Sequence, residues 1–324
     1  MKQEAPRGQI PGLPFPVSRI FFGTAMPPIL TDETEALSLL DSVFVAGVNA
    51  FDCARSYGRA ENALGKWLKS RGLRNQVVLL TKCGDIREGR VEINRRIIES
   101  QMEESLNALQ TDCIDLYLLH RDDPTTPVEE YIETLNKARA AGKIKLFGAS
   151  NWTHQRIAEA NHYAQEKGLM GFSVSSPNFG LARQMQDLWG GGCVSLSGPE
   201  NAEARRWYQA NQMPVIAYSS LGRGFFSGRF RAYDYDGARR IMDPYAQKGY
   251  LYDENMARLE RAEALAQKYD IPVSEIAMRY VFSRGVNVFA VVGTTSSARL
   301  QSNLNAAACP LTEAEADFLE GMDE

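Results

Sequence analysis

Short apolar segments alternate with longer segments of helical periodicity along most of the chain. Several of the short segments, such as "VVLLT" and "VFAVV", are continuously apolar rather than alternating. Continuous apolar runs are typical of parallel strands that are buried on both faces. The predicted strands cover residues 19–23, 48–52, 77–82, 113–119, 144–149, 171–175, 215–218 and 288–292.

The segments between the strands have recognisable helix ends. Asp32 and Glu35 form a predicted capping box, and Gly47, Gly142 and Gly168 stand where helices should stop. Eight such strand–helix units predict an α/β fold, a single (β/α)8 TIM barrel. We expect one domain over residues 1–324, with a core of about 18–310, a short N-terminal extension and a C-terminal helix.

Two stretches interrupt the repeat. Residues 180–199 are rich in glycine, and residues 219–253 carry Gly, Arg, Tyr and Asp without a clear period. Long loops in a compact domain are often functional. We therefore predict two long loops on the C-terminal face of the barrel, the face on which such barrels carry their active sites.

The composition is that of an ordinary globular chain, with 324 residues, 44% hydrophobic and 23% charged, and a formal net charge of −4. No run of Lys and Arg offers a basic field, so we expect no nucleic-acid partner. No apolar stretch is long enough for a secretory signal or a membrane span. The expected location is the cytoplasm, without a membrane partner.

The cysteines show no C-x-x-C spacing that would indicate a zinc site or a redox pair. We therefore expect reduced, mostly buried thiols and no bound metal. The five are Cys53, Cys83, Cys113, Cys193 and Cys309.

Four ionisable side chains stand at the ends of three consecutive predicted strands. Asp52 ends the second strand and Tyr57 follows in its loop, Lys82 ends the third strand, and His120 closes the fourth. In a parallel barrel these strand ends share one face. We therefore expect the four side chains to form one site.

These residue types suit the protonation of a carbonyl oxygen. A lysine ammonium within about 4 Å of a tyrosinate favours it by roughly 4 kcal/mol at an effective dielectric of about 20. We therefore expect Lys82 to lower the pKa of Tyr57 from its ordinary value of about 10. Asp52 would hold the ammonium, and His120 would donate a hydrogen bond to the carbonyl. Tyr57 would then supply the proton that hydride delivery to the carbonyl demands.

The segments "FDCARSYG", "LLTKCG" and "LYLLHRDD" resemble those that carry the catalytic tetrad of the aldo-keto reductases. The resemblance covers nearly the whole chain. "GRAENALG" is similar to the family's Gly-x-x-Glu-x-x-Leu-Gly segment, "GKIKLFGASNW" to its fifth strand, and "MPVIAYSSLGRGFFSG" to its seventh strand and following loop. It implies reversible, NAD(P)H-dependent reduction of aldehydes and ketones to alcohols, with Tyr57 as general acid beside Asp52, Lys82 and His120.

The resemblance also implies a nicotinamide dinucleotide bound in an extended pose, and no Rossmann G-x-G-x-x-G opens a helix here. Ser150 and Asn151 would hydrogen-bond the nicotinamide amide, and Tyr218 would stack on the nicotinamide ring. The other implied contacts are Gly23, Thr24 and Ser176, then Ser219, Leu221, Gly222 and Arg223 along the pyrophosphate, and Gly293, Thr294, Arg299 and Asn303 towards the adenosine.

The choice between NADP(H) and NAD(H) is less sharply implied. Arg299 would lie near a 2′-phosphate, which makes NADP(H) the preferred cofactor. Three positions depart from the family pattern: Ser176 replaces a glutamine, Gly293 a lysine, and Ser302 a glutamate beside the adenine. NAD(H) therefore stays open as the alternative.

A second interpretation is a nicotinamide-binding regulatory subunit, similar to the β-subunits of potassium channels, with slow or no turnover. A metal-dependent or glycosidase-type barrel hydrolase lacks support, because no second histidine or paired acids accompany His120 at the strand ends. The other two histidines, His154 and His162, fall on the predicted fifth helix.

The expected substrate is a small carbonyl or alcohol compound. Arg121, Asp122 and Asp123 follow His120 directly. If they face the pocket, their donors and acceptors suit a polyhydroxylated substrate. The other interpretation is a solvated turn closed by Pro124. The oligomeric state is left open.

Overall fold

Eight parallel strands form a closed barrel in the computed structural model, which describes residues 5–87, 89–91 and 93–322. The first six strands pair in chain order, and the seventh pairs with the eighth. The predicted (β/α)8 TIM barrel is therefore confirmed. The strands are β1 (Ile20–Gly23), β2 (Ala50–Asp52), β3 (Val78–Cys83), β4 (Ile114–Leu119), β5 (Ile144–Ser150), β6 (Val174–Ser176), β7 (Val215–Ala217) and β8 (Val288–Val292).

The observed strands match the predicted ones with small shifts at their ends. The largest shift is at β6, which was expected from residue 171 and begins at Val174. The strand residues are buried almost throughout, with Lys145 in β5 as an exposed exception. Burial on both faces accounts for the continuous apolar runs.

The chain divides into two compact units. The first comprises Met1–Ser176 and Gly293–Ser297, and the second comprises Pro177–Val292 and Ala298–Glu324. The expectation of a single domain stays a prediction.

The first unit contains β1 to β6 and the helices that follow them. Two antiparallel hairpins accompany the barrel strands: one pairs Arg7–Gly8 with Val17–Ser18, and the other pairs Ile86–Arg87 with Arg90–Val91. The helices of this unit are α1 (Pro27–Thr31), α2 (Glu33–Val45), α3 (Ala60–Arg71), α4 (Arg95–Leu109), α5 (Val128–Ala140) and α6 (His154–Glu166).

Helix ends in this unit follow the sequence signals. The Asp32 carboxylate accepts a hydrogen bond from the Glu35 backbone N–H at 2.8 Å and caps α2. Gly47, Gly142 and Gly168 each lie just beyond a helix and have φ values of 97°, 74° and 64°. Glycine adopts this left-handed conformation without a steric penalty, so these positions end α2, α5 and α6 as predicted.

The second unit contains β7, β8 and the remaining helices. Residues 180–199 are irregular up to a short 3₁₀ turn at Pro199–Asn201. Residues 219–253 hold two helices of seven residues each, capped by Asp234 and Asp243, which the sequence analysis did not predict. Two turns are too short for a periodic pattern to emerge. The helices are α7 (Ala202–Asn211), α8 (Tyr235–Ile241), α9 (Pro244–Tyr250), α10 (Asp253–Tyr269), α11 (Val273–Val281), α12 (Ser297–Ala308) and α13 (Glu313–Glu320).

The cysteines correct a second expectation. Cys53 and Cys83 are buried, Cys113 and Cys193 are half-buried, and Cys309 is exposed. All five are free thiols, but they are not mostly buried.

Close packing of α3 on α4 explains the last glycine of the "GRAENALG" segment. A Cβ atom at Gly65 would lie 2.4 Å from the Ala108 carbonyl oxygen and 2.8 Å from the Leu109 Cα atom. Both are backbone atoms, which cannot rotate away. Only glycine allows the two helices to approach this closely behind β2 and β3.

Candidate active site

A buried ion pair links the ends of β2 and β3. Lys82 Nζ lies 2.5 Å from Asp52 Oδ1 and also donates to the Cys53 carbonyl oxygen at 2.8 Å. Asp52 is 5% exposed and Lys82 is 3% exposed. Burial acts to lower the pKa of Lys82, but Asp52 and Tyr57 together raise the pKa above its ordinary value. The lysine therefore keeps its proton and its charge.

Tyr57 lies beside this pair, in the turn that follows β2. Its backbone N–H donates to the Ala54 carbonyl oxygen at 3.0 Å, and Gly58 continues the turn at a φ of 56°. Lys82 Nζ lies 5.2 Å from the centre of the Tyr57 ring. Asp52 and Lys82, which were predicted to lie near the tyrosine, are therefore in place.

The expected lowering of the pKa of Tyr57 is wrong. Burial raises the pKa of Tyr57 to about 12, and the opposing effect of Lys82 is smaller. Asp52 also raises it, because its carboxylate lies against the lysine ammonium and offsets that charge. The sequence-based estimate counted the ammonium alone and left out both the burial and the compensating carboxylate.

His120 follows β4 directly, and its backbone N–H donates to the Cys83 carbonyl oxygen at 2.7 Å. Its ring meets the Tyr57 ring edge to face, with 5.9 Å between ring centres. Burial, followed by Lys82 and Arg121, lowers the pKa of His120 to about 3 against the opposing effect of Asp85. The structure thus brings together all four residues predicted for the site.

Two residues near the tetrad were missed by the sequence analysis. Asp85, three positions after Lys82, places Oδ2 3.4 Å from His120 Nδ1. Glu61, the acid of the "GRAENALG" segment, is 1% exposed, accepts from Thr81 Oγ1 at 2.7 Å and pairs with Arg55 at 3.4 Å. An acid in the loop after the lysine strand was the available signal for Asp85. Glu61 ties α3 to β3.

Five of the predicted cofactor contacts lie on the first unit at the ends of its strands. Ser150 Oγ donates to the Ser176 carbonyl oxygen at 2.8 Å, and Asn151 Nδ2 donates to the His120 carbonyl oxygen at 3.2 Å. All are buried, as are Gly23 and Thr24. The end of β5 is thereby tied both to β6 and to His120.

Thr24 connects the end of β1 to the end of β2. Its backbone N–H and its Oγ1 both donate to the Asp52 carbonyl oxygen, at 3.0 and 2.9 Å. Gly293 and Thr294 also belong to this unit. A Cβ atom at Gly293 would lie 3.1 Å from Met26 Sδ, and Thr294 Oγ1 accepts from the Ser296 N–H at 3.1 Å.

In the second unit an indole side chain lies among the predicted contacts. Trp189 meets the Tyr218 ring edge to face at 5.8 Å, and the Arg223 guanidinium lies 5.7 Å from the Trp189 ring centre. Arg223 also lies 3.6 Å from Asp243. Trp189 belongs to the irregular stretch 180–199, and only the length of that stretch indicated a role. The other predicted contacts here are Ser219, Leu221 and Gly222.

Two of the four positions predicted towards the adenosine, Arg299 and Asn303, lie on α12. Arg299 is exposed, while the buried Asn303 amide donates to the Arg299 carbonyl oxygen at 2.8 Å, one helical turn earlier. Ser302 Oγ donates to Glu275 Oε2 at 2.9 Å. A carboxylate from α11 therefore stands next to the position at which the family pattern has a glutamate and this chain has serine.

Strained backbone coincides with several predicted contacts. Among the described residues, six other than glycine have positive φ values: Gln110, Asn151, Gln212, Ser219, Arg223 and Asp270. Gln110, Gln212 and Asp270 end α4, α7 and α10, where a left-handed residue is ordinary. The other three are all predicted cofactor contacts. Strain of this kind costs about 1–3 kcal/mol per residue and concentrates at functional sites.

Comparison with known proteins decides the family. The model of the aldo/keto reductase family matches residues 19–324. The chain belongs to this family. This aldo-keto reductase holds no helix, among those described, that is long and apolar enough to cross a membrane. Nor does the described part of the chain gather three His, Cys, Asp or Glu side chains that could hold a metal ion.

Curated relatives of this aldo-keto reductase are named as reductases or dehydrogenases. Aldo-keto reductase str7 of Strobilurus tenacellus is 24% identical over 91% of this chain and 83% of the relative. Norsolorinic acid reductase of Aspergillus flavus is 29% identical over 88% and 70%. Aldo-keto reductase yakc [NADP(+)] of Schizosaccharomyces pombe is 26% identical over 80% and 73%.

A solved structure shares the fold. The thermostable aldo-keto reductase Tm1743, crystallised with the inhibitor epalrestat, superposes with a TM-score of 0.71. The alignment covers 98% of this chain and 99% of that one at 20% identity.

The raised pKa of Tyr57 in this aldo-keto reductase predicts a phenol that stays protonated through the neutral range and ionises only near pH 12. The measurement is an ultraviolet tyrosinate titration of the wild type minus that of Tyr57→Phe. We expect no Tyr57 signal at pH 9. A difference signal that titrates well below about 10, the ordinary tyrosine pKa, would instead support the lowered value first inferred from the residue types.

Proposed function

We propose that this chain reduces aldehydes or ketones to alcohols, reversibly, with NADP(H) as preferred cofactor and NAD(H) as the alternative. The observation that carries the proposal is the contiguity of the tetrad. Asp52 contacts Lys82, Lys82 lies against the Tyr57 ring, and that ring lies against His120. The family match and the names of its relatives support the same reaction class.

The predicted cofactor contacts of each unit fit a nicotinamide cofactor. Asn151, Ser219 and Arg223 are predicted amide and phosphate contacts with left-handed backbone. Asn151 and Ser219 lie outside any helix, and Arg223 lies within the 3₁₀ turn Gly222–Gly224. Such backbone directs N–H groups in ways that regular strands do not, which suits anionic ligands. When bound, the cofactor supplies the hydride that adds to the carbonyl carbon.

Tyr57 supplies the proton. With its pKa near 12, the phenol keeps its proton until negative charge develops on the carbonyl oxygen, and then the proton passes from the phenol oxygen to that oxygen. The tyrosinate left behind lies beside the Lys82 ammonium, which stabilises it. Asp52 holds the ammonium in position. Oxidation of an alcohol reverses the same transfers.

The substrate class rests on the charged residues after β4. Arg121 is 5% exposed and its Nε lies 3.5 Å from Asp85 Oδ1, and Asp123 accepts from the Thr125 N–H at 3.0 Å, as in a closed turn. Asp122 pairs with Arg156 at 3.4 Å, yet its buried Oδ1 has no hydrogen-bond partner among the described residues. The proposal of a polyhydroxylated substrate therefore rests on Asp122 alone.

The regulatory alternative shares the cofactor but not the turnover. A subunit resembling the channel β-subunits would bind NADPH and reduce aldehydes very slowly. We favour the enzyme, because the four tetrad side chains are complete and in contact. On sequence grounds we also propose that the protein is cytoplasmic and acts as one domain over residues 1–324.

Tyr57→Phe should lower kcat for carbonyl reduction by about 10²- to 10⁴-fold, the usual contribution of a positioned acid, and leave NADPH binding nearly unchanged. The matched control is Tyr163→Phe, which removes a phenol on α6 that donates to Glu133 at 2.8 Å. The measurements are kcat with a model aldehyde and the Kd for NADPH. Full kcat in Tyr57→Phe would exclude the tyrosine as the acid. Cofactor binding without wild-type turnover would favour the regulatory subunit.

Arg299→Ala should weaken NADPH binding by on the order of 10-fold and leave NADH binding nearly unchanged. A guanidinium forms charge-assisted hydrogen bonds with a 2′-phosphate, and NADH has no such group. Arg206→Ala, at another exposed arginine of the second unit, is the control. Isothermal titration with both cofactors measures the effect. Equal losses for NADPH and NADH would show that Arg299 does not read the phosphate.

Asp122→Asn should selectively reduce kcat/KM for hydroxylated aldehydes relative to their deoxygenated counterparts. A site that hydrogen-bonds substrate hydroxyls penalises analogues lacking them, and the amide changes the acceptor pattern without changing its size. Asp123→Asn is the control, because the Asp123 carboxylate serves the turn. A preference for apolar aldehydes in wild type and variant alike would refute the polar substrate and leave the reductase proposal intact.

A further inference from the structure

An aspartate closes the glycine-rich turn at residues 187–193, within the irregular stretch 180–199. Asp187 Oδ1 accepts from the Trp189 backbone N–H at 2.8 Å, and Asp187 Oδ2 accepts from the Cys193 N–H at 2.7 Å. The three glycines at positions 190–192 have φ values of 91°, 122° and 75°, which other residues rarely adopt. Burial acts to raise the pKa of Asp187, but the hydrogen bonds of the turn lower it below its ordinary value. An ionised carboxylate thus fixes the backbone that carries Trp189.

Neighbouring residues hold this turn against α9. The Met185 N–H donates to the Gly249 carbonyl oxygen at 2.9 Å, and the buried Leu188 side chain packs against the same glycine. A Cβ atom at Gly249 would lie 2.4 Å from Leu188 Cδ2, so Leu188 occupies space that a side chain at position 249 would need. Trp189 follows Leu188 directly. Its backbone is therefore anchored to α9 as well as closed into a turn.

The Trp189 indole packs against two residues that were predicted to bind the cofactor. It meets the Tyr218 ring edge to face at 5.8 Å, and the Arg223 guanidinium lies 5.7 Å from its ring centre. Both distances are typical of aromatic and cation–π contacts. Tyr218 follows β7 directly, and Arg223 lies in the 3₁₀ turn Gly222–Gly224. The indole therefore connects the end of β7 with the loop that follows it.

Both partners of the indole are side chains that burial alone does not fix. Arg223 is exposed, and its contacts with the indole and, at 3.6 Å, with Asp243 restrict a side chain that would otherwise sample many rotamers. Tyr218 is half-buried, and the indole limits the tilt of its ring. A side chain that is held in place beforehand loses less entropy when a ligand binds.

We propose that Trp189 is a positioning residue of the cofactor site, which holds the Tyr218 ring for the nicotinamide and the Arg223 guanidinium for the pyrophosphate. This inference rests on the proposed function, because that proposal assigns these two contacts to the cofactor. The indole acts through its two neighbours. Its loss should therefore weaken cofactor binding without removing a group that takes part in the reaction.

Trp207 offers a matched control in the same unit. It lies on α7, is half-buried like Trp189, and meets the Tyr208 ring edge to face at 5.0 Å. Neither Trp207 nor Tyr208 is a predicted cofactor contact. Replacement of either tryptophan by leucine removes the same kind of side chain, but only the change at position 189 should affect the cofactor.

Isothermal titration of the full chain with NADPH measures the effect. Trp189→Leu should raise Kd by about 5- to 30-fold, the combined effect of losing one aromatic pair and one cation–π contact. Trp189→Phe keeps an aromatic ring and should raise Kd by less than about 3-fold. Trp207→Leu should keep the wild-type Kd. Thermal unfolding without cofactor checks that each variant is folded before its Kd is compared.

A double-mutant cycle distinguishes positioning from a general structural role. Arg223→Ala removes the guanidinium that the indole holds, so the factor by which Trp189→Leu raises Kd should be about 2- to 5-fold smaller in that background. An indole that serves stability alone would change Kd by the same factor with Arg223 present or absent. Trp207→Leu combined with Arg223→Ala should give the product of the two separate effects.

The outcomes separate this inference from the proposed function. A wild-type Kd in Trp189→Leu, or the same factor for Trp189→Leu with and without Arg223, would overturn the inference and leave the proposed function intact. A wild type that binds neither NADPH nor NADH would overturn both. A wild type that binds NADPH but reduces no carbonyl compound would exclude the reductase alone, and the Kd values would still decide the role of Trp189.

Discussion

The site depends on the buried ion pair between Asp52 and Lys82. Each charge would be costly alone at this depth, and removal of one partner from such a pair typically destabilises a protein by about 3–5 kcal/mol. The contact joins β2 to β3 at the end of the barrel where Tyr57 and His120 also lie. Either residue therefore serves stability as well as the proposed chemistry, and the effects of replacing it combine both.

The same pair reconciles the proposed role of Tyr57 as an acid with its raised pKa. Asp52 compensates the lysine, so the free phenol gains little from the ammonium and burial dominates its pKa. An alkoxide that forms during hydride addition is a much stronger base than a phenolate, so proton transfer from a phenol of pKa near 12 stays favourable. Tyr57 is suited to its proposed role by its position beside Lys82 more than by an unusual acidity.

The strands and the tetrad could be predicted because each rests on a local signal. Continuous apolar runs mark strands buried on both faces, and the end of such a run locates Asp52 and Lys82. Asp85 could not be placed beside His120, because the 3.4 Å approach of the two side chains depends on how the loop after β3 folds. The short helices of residues 219–253 and the pKa of Tyr57 were missed for a similar reason: capping contacts and burial are properties of the folded chain.

Backbone conformation adds information that residue types do not carry. Serine and arginine seldom adopt positive φ, yet Ser219 has it outside any helix and Arg223 has it within the 3₁₀ turn Gly222–Gly224. The folded chain must therefore stabilise these conformations through neighbouring contacts, as the Trp189 and Asp243 contacts of Arg223 illustrate. A ligand that uses such backbone finds its N–H groups already oriented and loses less conformational entropy on binding. Strain set up during folding in this way becomes preorganisation for binding.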